Sequence, residues 1–363
     1  MLREGTEVDG HGLSWLEERG ANYEIVLSTR VRLARNIQGF PFATQSSGED
    51  RDRLLKCACD ALEDNDFLGD TDIWKMSELE ASERNRLLER HLVSRELIAG
   101  AGGEPLRAAA LAIQRDRALG LMINEEDHLR LQVLTGGFQL ERAWKEVEQL
   151  DEEIGQRLPY AFHHEFGFLT SCPTNVGTGL RASVLIHLPG LVLTKEIHKV
   201  LQGIGQLGLT YRGLYGEGSE IVGNFFQISN QTTLGKTEED LIDHLGSIVS
   251  RVIDYEKQAR VVLLREAPAV LEDKVWRAYG ILRRARSISF EEMMNLLSGV
   301  RLGLSLKLLQ TPCVQTVSRI MIYAQTAHLE RAARRRLDET DADVFRATFV
   351  REALAADEAA DQS

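Results

Sequence analysis

The sequence predicts an α+β body followed by an all-helical C-terminal domain. Three observations carry this. Runs near 23–36, 108–114, 119–126, 182–188 and 223–230 are apolar or alternate apolar with polar residues, which is the two-residue period of strands. Stretches near 48–63, 77–92 and 138–154 carry the helical period instead. From Thr237 onward the chain is almost wholly helical in pattern. The boundary is predicted near residue 257, inside a long helix, which gives domains 1–256 and 257–363.

Residues up to about Gly20 are polar and read as loop. In Tyr23–Asn36, Ile25, Leu27, Thr29, Val31 and Leu33 alternate with Val26, Ser28, Arg30 and Arg32. That is a strand with one apolar face and a second face ending in two arginines, about 7 Å apart. Two guanidinium forks at that spacing suit a polyanion such as a phosphate chain; a solvated strand edge is the alternative. Gly48–Glu63 reads as a helix. Ser77–Leu92 reads as a second, opened by the capping box Ser77-x-x-Glu80. Cys57 and Cys59 fall on different faces of the first helix, so they cannot jointly hold a metal. Ala108–Gln114 and Leu119–Glu126 read as a hairpin around Arg115-Asp116-Arg117.

The stretch Met122-Ile123-Asn124-Glu125-Glu126-Asp127-His128-Leu129-Arg130 sets three acids before a histidine and an arginine inside an apolar run. If it is extended, Glu126, His128, Arg130 and Gln132 share one face. A carboxylate two pleats from an arginine is either a structural ion pair or part of a site, and the stretch alone favours the ion pair. Phe138–Ile154 reads as a helix with Leu140, Trp144, Val147 and Leu150 on one stripe. An apolar strand from Phe166 then runs into Cys172, a Pro/Asn/Gly loop, Arg181 and a further strand. A glycine-rich loop exposes N–H groups that suit an anion; an ordinary turn and a packed cysteine are the plain alternatives.

A short helix is predicted at Lys195–Leu201, and Glu217 stands between Gly216 and Gly218 on a loop. Thr237 caps a long helix carrying Leu241, Leu245, Ile248, Val252 and Tyr255 on one side. Pro268 breaks it. Ser289-x-x-Glu292 caps another helix, and Val314–Leu329 and a charged tail helix follow.

Composition bounds the function. Of 363 residues, 43% are hydrophobic, enough for a full core, and the net charge is −12. That balance argues against a nucleic-acid binder, which would show a basic face. No apolar run approaches a membrane span, and the first residues lack the apolar core of a signal peptide. Four cysteines are too sparse for a disulfide scaffold, so a reducing cytoplasm is the expectation. Gly203-Ile204-Gly205-Gln206-Leu207-Gly208 spells a dinucleotide fingerprint, but it follows a helix and opens a strand, the reverse of what that motif requires. Gly235-Lys236-Thr237 lacks the glycine-rich lead of a phosphate loop, with Asn230 at the first glycine's position.

Four blocks, in order over roughly residues 22–256, resemble the phosphagen (guanidino) kinases. They are Leu-Ser-Thr-Arg-Val-Arg-Leu-Ala-Arg-Asn at 27–36, Asn-Glu-Glu-Asp-His-Leu-Arg at 124–130, Cys-Pro-Thr-Asn-Val-Gly-Thr-Gly-Leu-Arg at 172–181, and Arg-Gly…Gly-Glu…Ile-Ser-Asn between 212 and 230. The resemblance implies a catalytic domain built on an antiparallel sheet flanked by helices. The family's small N-terminal domain is not matched ahead of the first block, and a helical domain follows the body. That layout is similar to the bacterial branch that phosphorylates arginine within proteins. An open guanidino end would admit a protein-borne arginine.

What the family implies for residues is specific. Glu126 and Glu217 match its carboxylate pair, which grips the guanidinium and takes its proton. Ser28, Arg30, Arg32, Arg130, Arg181 and Arg212 match its nucleotide-binding set. Cys172 matches its reactive cysteine. ATP is the phosphoryl donor, and Mg2+ is held mainly by phosphates and water, so no protein metal ligands are expected. Where several members place a histidine near the adenine, this chain has Leu185, and apolar packing of the base is expected. The family's C-terminal domain supports a homodimer and holds a phosphoarginine pocket on an Arg-Asp-x-x-Arg-Ala sequence. Here Ala342 stands in the leading position before Asp343 and Arg346, so activation by phosphoarginine is expected to be lost or shifted. Implied partners are proteins with exposed arginines, an activator protein and the Clp chaperone-protease, with neither nucleic acid nor membrane. The rival readings are a small-molecule arginine kinase and a non-catalytic nucleotide-binding adaptor.

Overall fold

The computed structural model describes residues 3–4, 10–63, 69–100, 103–213 and 221–361. Its contacts divide the chain into two compact units. The first comprises Met1–Gly20, Ser28–Ser183 and Ser229–Gly246; the second comprises Ala21–Leu27, Val184–Ile228 and Ser247–Ser363.

The chain opens with the short strand β1 (Arg3–Glu4), then β2 (Val26–Arg35), helix α1 (Gly48–Glu63), β3 (Thr71–Lys75), α2 (Ala81–Glu89) and α3 (Arg95–Ile98). Three antiparallel strands follow: β4 (Ala110–Gln114), β5 (Leu119–Ile123) and β6 (Leu129–Gly136). Helix α4 (Leu140–Gly155) comes next, with Leu140, Trp144, Val147 and Leu150 buried as the stripe predicts. A small hairpin, β7 (Phe162–His163) with β8 (Gly167–Phe168), leads to β9 (Leu180–His187). Helices α5 (Pro189–Leu193) and α6 (Ile197–Gln206) and strands β10 (Leu209–Arg212) and β11 (Phe225–Asn230) complete this part.

Nine strands hydrogen-bond in the order β1-β3-β4-β5-β6-β2-β9-β11-β10. The β1–β3 pair is parallel, and β3–β4, β4–β5, β5–β6 and β2–β6 are antiparallel. In the first unit β2 lies against β6, with Arg30 opposite Leu134, Arg32 opposite Gln132 and Ala34 opposite Arg130. Strands this central are buried on both faces, and Val26, Val31, Leu33, Leu129 and Leu131 are all fully enclosed. Polar side chains on such a strand need a reason to be there.

The remainder is helical: α7 (Glu238–Glu266), α8 (Pro268–Arg284), α9 (Phe290–Ser305), α10 (Val314–Tyr323), α11 (Thr326–Ala333) and α12 (Glu339–Asp361). Thr237 caps α7 reciprocally: Asp240 N donates to Thr237 Oγ1 (3.1 Å), and Thr237 N donates to Asp240 Oδ2 (3.2 Å). Ser289 accepts from Glu292 N (3.1 Å) at the start of α9, as its spacing predicts. Tight packing of α9 on α8 requires Gly303, where a Cβ would come 2.3 Å from Val275 Cγ1. Among the described residues no helix is long and apolar enough to cross a membrane.

Four local expectations are corrected. Ser77 caps nothing: α2 starts at Ala81 after Glu80, which makes no side-chain cap bond. The predicted helix at Lys195–Leu201 is α6, which starts at Ile197 and runs on to Gln206, and the separate helix α5 before it was not expected. Val314–Leu329 is also two, separated where Gln325 turns extended (φ −78°, ψ 157°). Tyr255, placed on the apolar side of α7, is 49% exposed.

Candidate active site

The acidic stretch is not a strand. β5 ends at Ile123 and β6 begins at Leu129, so Asn124–His128 forms the turn between them. Asn124 takes a left-handed conformation (φ 59°), which an asparagine tolerates better than most residues. The turn therefore breaks the alternation that would have set Glu126 beside Arg130. It is Glu125 that turns inward: it is 2% exposed, and Arg130 Nη1 donates to its two oxygens at 2.5 and 2.7 Å. Burial alone would raise the Glu125 carboxyl, but Arg130, Ser94 and the Glu126 amide outweigh burial and hold it below the ordinary range. Glu126 is exposed at the tip of the turn. Partial desolvation, with Asp127, Glu125 and Glu96 nearby, raises its pKa against the pull of Arg130. The expected pairing of Glu126 with Arg130 on one strand face is therefore replaced: Glu125 makes the ion pair, and Glu126 is exposed.

Around that turn the first unit gathers cations. On β2, Arg30 and Arg32 face the same side, and Arg130 on β6 and Arg181 on β9 act on both electrostatically. Burial first, then Arg130 and Arg181, pulls Arg30 down to about 10. Arg32 is lowered further, by burial and by Arg30, Arg130 and Arg181, with Glu125 opposing. Arg32 makes no hydrogen bond or ion pair with any described residue, and its Nε is buried without an acceptor. Mutual depression of this kind means that the fold assembles more positive charge than it neutralises, which suits a polyanionic ligand. His91, missed in the sequence reading, lies in the same field. Burial, then Arg30, lowers its pKa to about 3, so a neutral imidazole stands beside the cluster.

The Cys172 loop is built differently from the expectation. Several of its N–H groups are used within the fold: Gly177 N donates to Phe168 O (3.2 Å), Thr178 N to Thr233 O (3.0 Å) and Asn175 N to Cys172 O (3.0 Å). The glycines serve close approach instead. A Cβ on Gly179 (φ 65°) would sit 2.5 Å from Ala34 O. Arg35 fastens the loop to β2, donating Nη1 to Thr178 O (2.8 Å) while its Nε and Nη2 engage Asp151. Cys172 is half-buried, with Sγ 3.0 Å from Thr174 Oγ1.

The other sequence-derived residues lie as follows. Ser28 is buried in β2 opposite Gly136. Arg212 ends β10 and belongs to the second unit. Glu217 lies outside the described residues. Leu185 is buried in β9. In the second unit Ala342 is buried. Arg346 donates Nε to Ala324 O (2.9 Å) and Nη1 to Ile288 O (3.0 Å), and pairs with Asp343. The residues Arg30, Arg32, Arg130 and Arg181 form one cluster, with the acidic turn against it. Among the described residues no group of three or more His, Cys, Asp or Glu side chains is arranged to hold a metal.

Comparison with known proteins gives the family and the fold. The family model described as ATP:guanido phosphotransferase, C-terminal catalytic domain, matches residues 54–259. The model described as Protein-arginine kinase McsB C-terminal domain matches residues 268–363. A protein-arginine kinase of Symbiobacterium thermophilum is 45% identical over 94% of this chain and 96% of that protein. Its counterpart in Bacillus subtilis is 40% identical over 94% and 93%. Among solved structures, the duplicated taurocyamine kinase of Schistosoma mansoni matches with a TM-score of 0.59 and 25% identity, over 70% of this chain and 35% of that one. A lombricine kinase shares the fold at a TM-score of 0.58 and 22% identity, over 68% and 71%.

Proposed function

The chain belongs to the ATP:guanido phosphotransferase family and, within it, to the protein-arginine kinases, and we propose from that premise that it transfers the γ-phosphoryl group of ATP to the guanidinium of arginine residues in proteins. One observation carries the reading: four arginines converge beside a turn that presents a single glutamate with a raised pKa. Mg2+ carried on phosphate oxygens and water supplies charge neutralisation when bound.

A guanidinium is protonated at any cellular pH and is a poor nucleophile. Glu126 grips its fork and accepts a proton. A raised pKa makes Glu126 a stronger base than an ordinary glutamate. Glu217 supplies the second grip, as the family resemblance implies. Ser28, Arg30, Arg32, Arg130, Arg181 and Arg212 hold the nucleotide and neutralise charge on the transferring group, the dominant need in phosphoryl transfer. Cys172 orients the guanidinium through its sulfur, as the family resemblance implies. Domains 1–256 and 257–363 divide catalysis from dimerisation and regulation. The wider role rests on family resemblance alone. It comprises marking proteins for Clp degradation, control of stress-response repressors, an activator partner, a homodimer and a cytoplasmic setting.

The test is incubation with ATP and either an arginine-rich protein or free arginine, read as acid-labile phosphate. The proposal requires label on the protein. Rapid labelling of free arginine with none on protein would make this a small-molecule kinase, and ATP binding without any transfer would make it an adaptor.

A further inference from the structure

The β5–β6 turn is fastened at every residue except the one it presents. Asn124 donates from Nδ2 to Ala108 O (2.9 Å) and Arg51 O (3.0 Å). Glu125 holds Arg130. His128 accepts from Ile37 N at Nδ1 (3.0 Å), which leaves Nε2 to donate to Pro41 O (2.8 Å). Asp127 is 2% exposed, and its Oδ1 accepts from Asn36 Nδ2 (2.7 Å) and from Ser171 N (2.6 Å). Glu126 alone is exposed.

The two donors on Asp127 come from different segments. Asn36 follows β2, accepts from His128 N at Oδ1 (2.9 Å) and also donates to Leu169 O (3.0 Å). Ser171 immediately precedes Cys172. One buried carboxylate, next in the chain to Glu126, therefore holds the residue next in the chain to Cys172. No described cation makes an ion pair with Asp127, although Arg130 acts on it electrostatically. Burying a carboxylate whose direct donors are neutral is costly, so the two bonds are what the fold gains from it.

We infer that Asp127 is a positioning residue for phosphoryl transfer: its carboxylate holds the Glu126 turn and the Cys172 loop in one frame, so that base and sulfur meet the guanidinium together. The inference rests on the reading that Glu126 and Cys172 act on a guanidinium. It adds a constraint that neither residue imposes by itself, since a carboxylate displaced by ~1 Å can lose about a hundredfold in rate.

The experiment uses the full chain with ATP and an arginine-rich protein, and compares Asp127→Ala with Asp127→Asn. An asparagine oxygen can accept the same two bonds. Asp127→Ala is expected to lower kcat by about a hundredfold with KM for ATP nearly unchanged, and Asp127→Asn by only a few-fold. A second readout needs no turnover: the alkylation rate at Cys172, followed by mass spectrometry without nucleotide, must change in Asp127→Ala and stay near wild type in Asp127→Asn. Wild-type kcat and alkylation in Asp127→Ala would overturn the inference. So would equal impairment of both variants, which would make charge rather than hydrogen bonding the operative feature. If Asp127→Ala fails to fold, Asp127→Ser decides, because its shorter hydroxyl keeps a polar atom at the position but cannot reach both donors. A lower kcat at constant KM supports the inference, and an unchanged kcat overturns it. Should the wild-type chain label no protein while Asp127→Ala still alters Cys172 alkylation, the coupling stands and the assigned reaction falls.

Discussion

Buried arginines occur in both units, and their surroundings differ. In the second unit Arg260 and Arg346 are consumed by the fold, and Arg301 in part, its Nε being buried without an acceptor. Arg260 donates Nε to Glu256 (2.7 Å) and Nη1 to Ser305 Oγ (2.6 Å). Arg301 donates to Ser318 Oγ (3.1 Å) and Tyr23 O (2.5 Å), and Arg346 to two carbonyls and Asp343. In the first unit the half-buried Arg130 is matched by Glu125, while the half-buried Arg32 stands among like charges with no described hydrogen-bond or ion-pair partner. Charge is met mostly by built-in acceptors in one region, while in the other several arginines crowd around one another. Burial of an arginine therefore says little by itself, and one unsatisfied Nε, which Arg301 shares with Arg32, says little more; the crowding of like charge is what marks the ligand site.

The comparison can be broken in several places. The largest expected effect is on the base that works beside the cluster. Glu126→Gln keeps the shape of the turn and should cut kcat by about 10²–10⁴, measured as acid-labile phosphate on protein. Activity in the wild type should also fail, on the acid side, at a pH above the ordinary glutamate range, because Glu126 must be deprotonated to act and its pKa is raised.

Next comes a stability effect confined to the second unit. Arg260→Ala leaves Glu256 buried and unpaired, and should cost about 3–5 kcal/mol in a denaturant melt. Nucleotide affinity of the folded fraction should be unchanged. A smaller effect is pH-dependent. Burial, then Arg260 and Arg301, holds the His187 imidazole well below its ordinary pKa. The unfolded chain thus takes up a proton near pH 6.5 that the folded chain refuses. Stability should fall as pH drops below about 6.5, by up to about 1.4 kcal/mol per pH unit for this group. Thermal melts at pH 7 and 5.5 check the slope, which His187→Gln should flatten. The smallest expected effect is none at all: free phosphoarginine should not stimulate activity, because Arg346 is already committed to Ala324, Ile288 and Asp343. Saturable stimulation would show that this guanidinium can be released.

Much of the fold was legible because single-period patterns decide it. The hairpin around Arg115, the α4 stripe and the caps at Thr237 and Ser289 all stand where periodicity or capping chemistry put them. The strand Thr71–Lys75 escaped because it is short and lies between two helical patterns. The acidic turn was misread because one left-handed Asn124 inside an apolar run leaves no mark on hydropathy. Arg30, Arg32, Arg130 and Arg181 were legible through the family blocks rather than through spacing. Their convergence is a property of sheet order, which places β2 between β6 and β9. The roles of Asp127 and Asn36 were not legible, since a buried carboxylate and its amide partner lie 91 residues apart in the chain.

The most direct test is titration of ATP into the wild type and Arg32→Ala at one salt concentration. The account predicts affinity weaker by about ten- to a hundredfold, the loss of a charge-assisted contact. Without nucleotide, the variant should melt at or above the wild-type temperature, since a half-buried cation among like charges has been removed. Unchanged ATP affinity, with a marked loss of stability, would show that Arg32 is part of the scaffold and contradict the account.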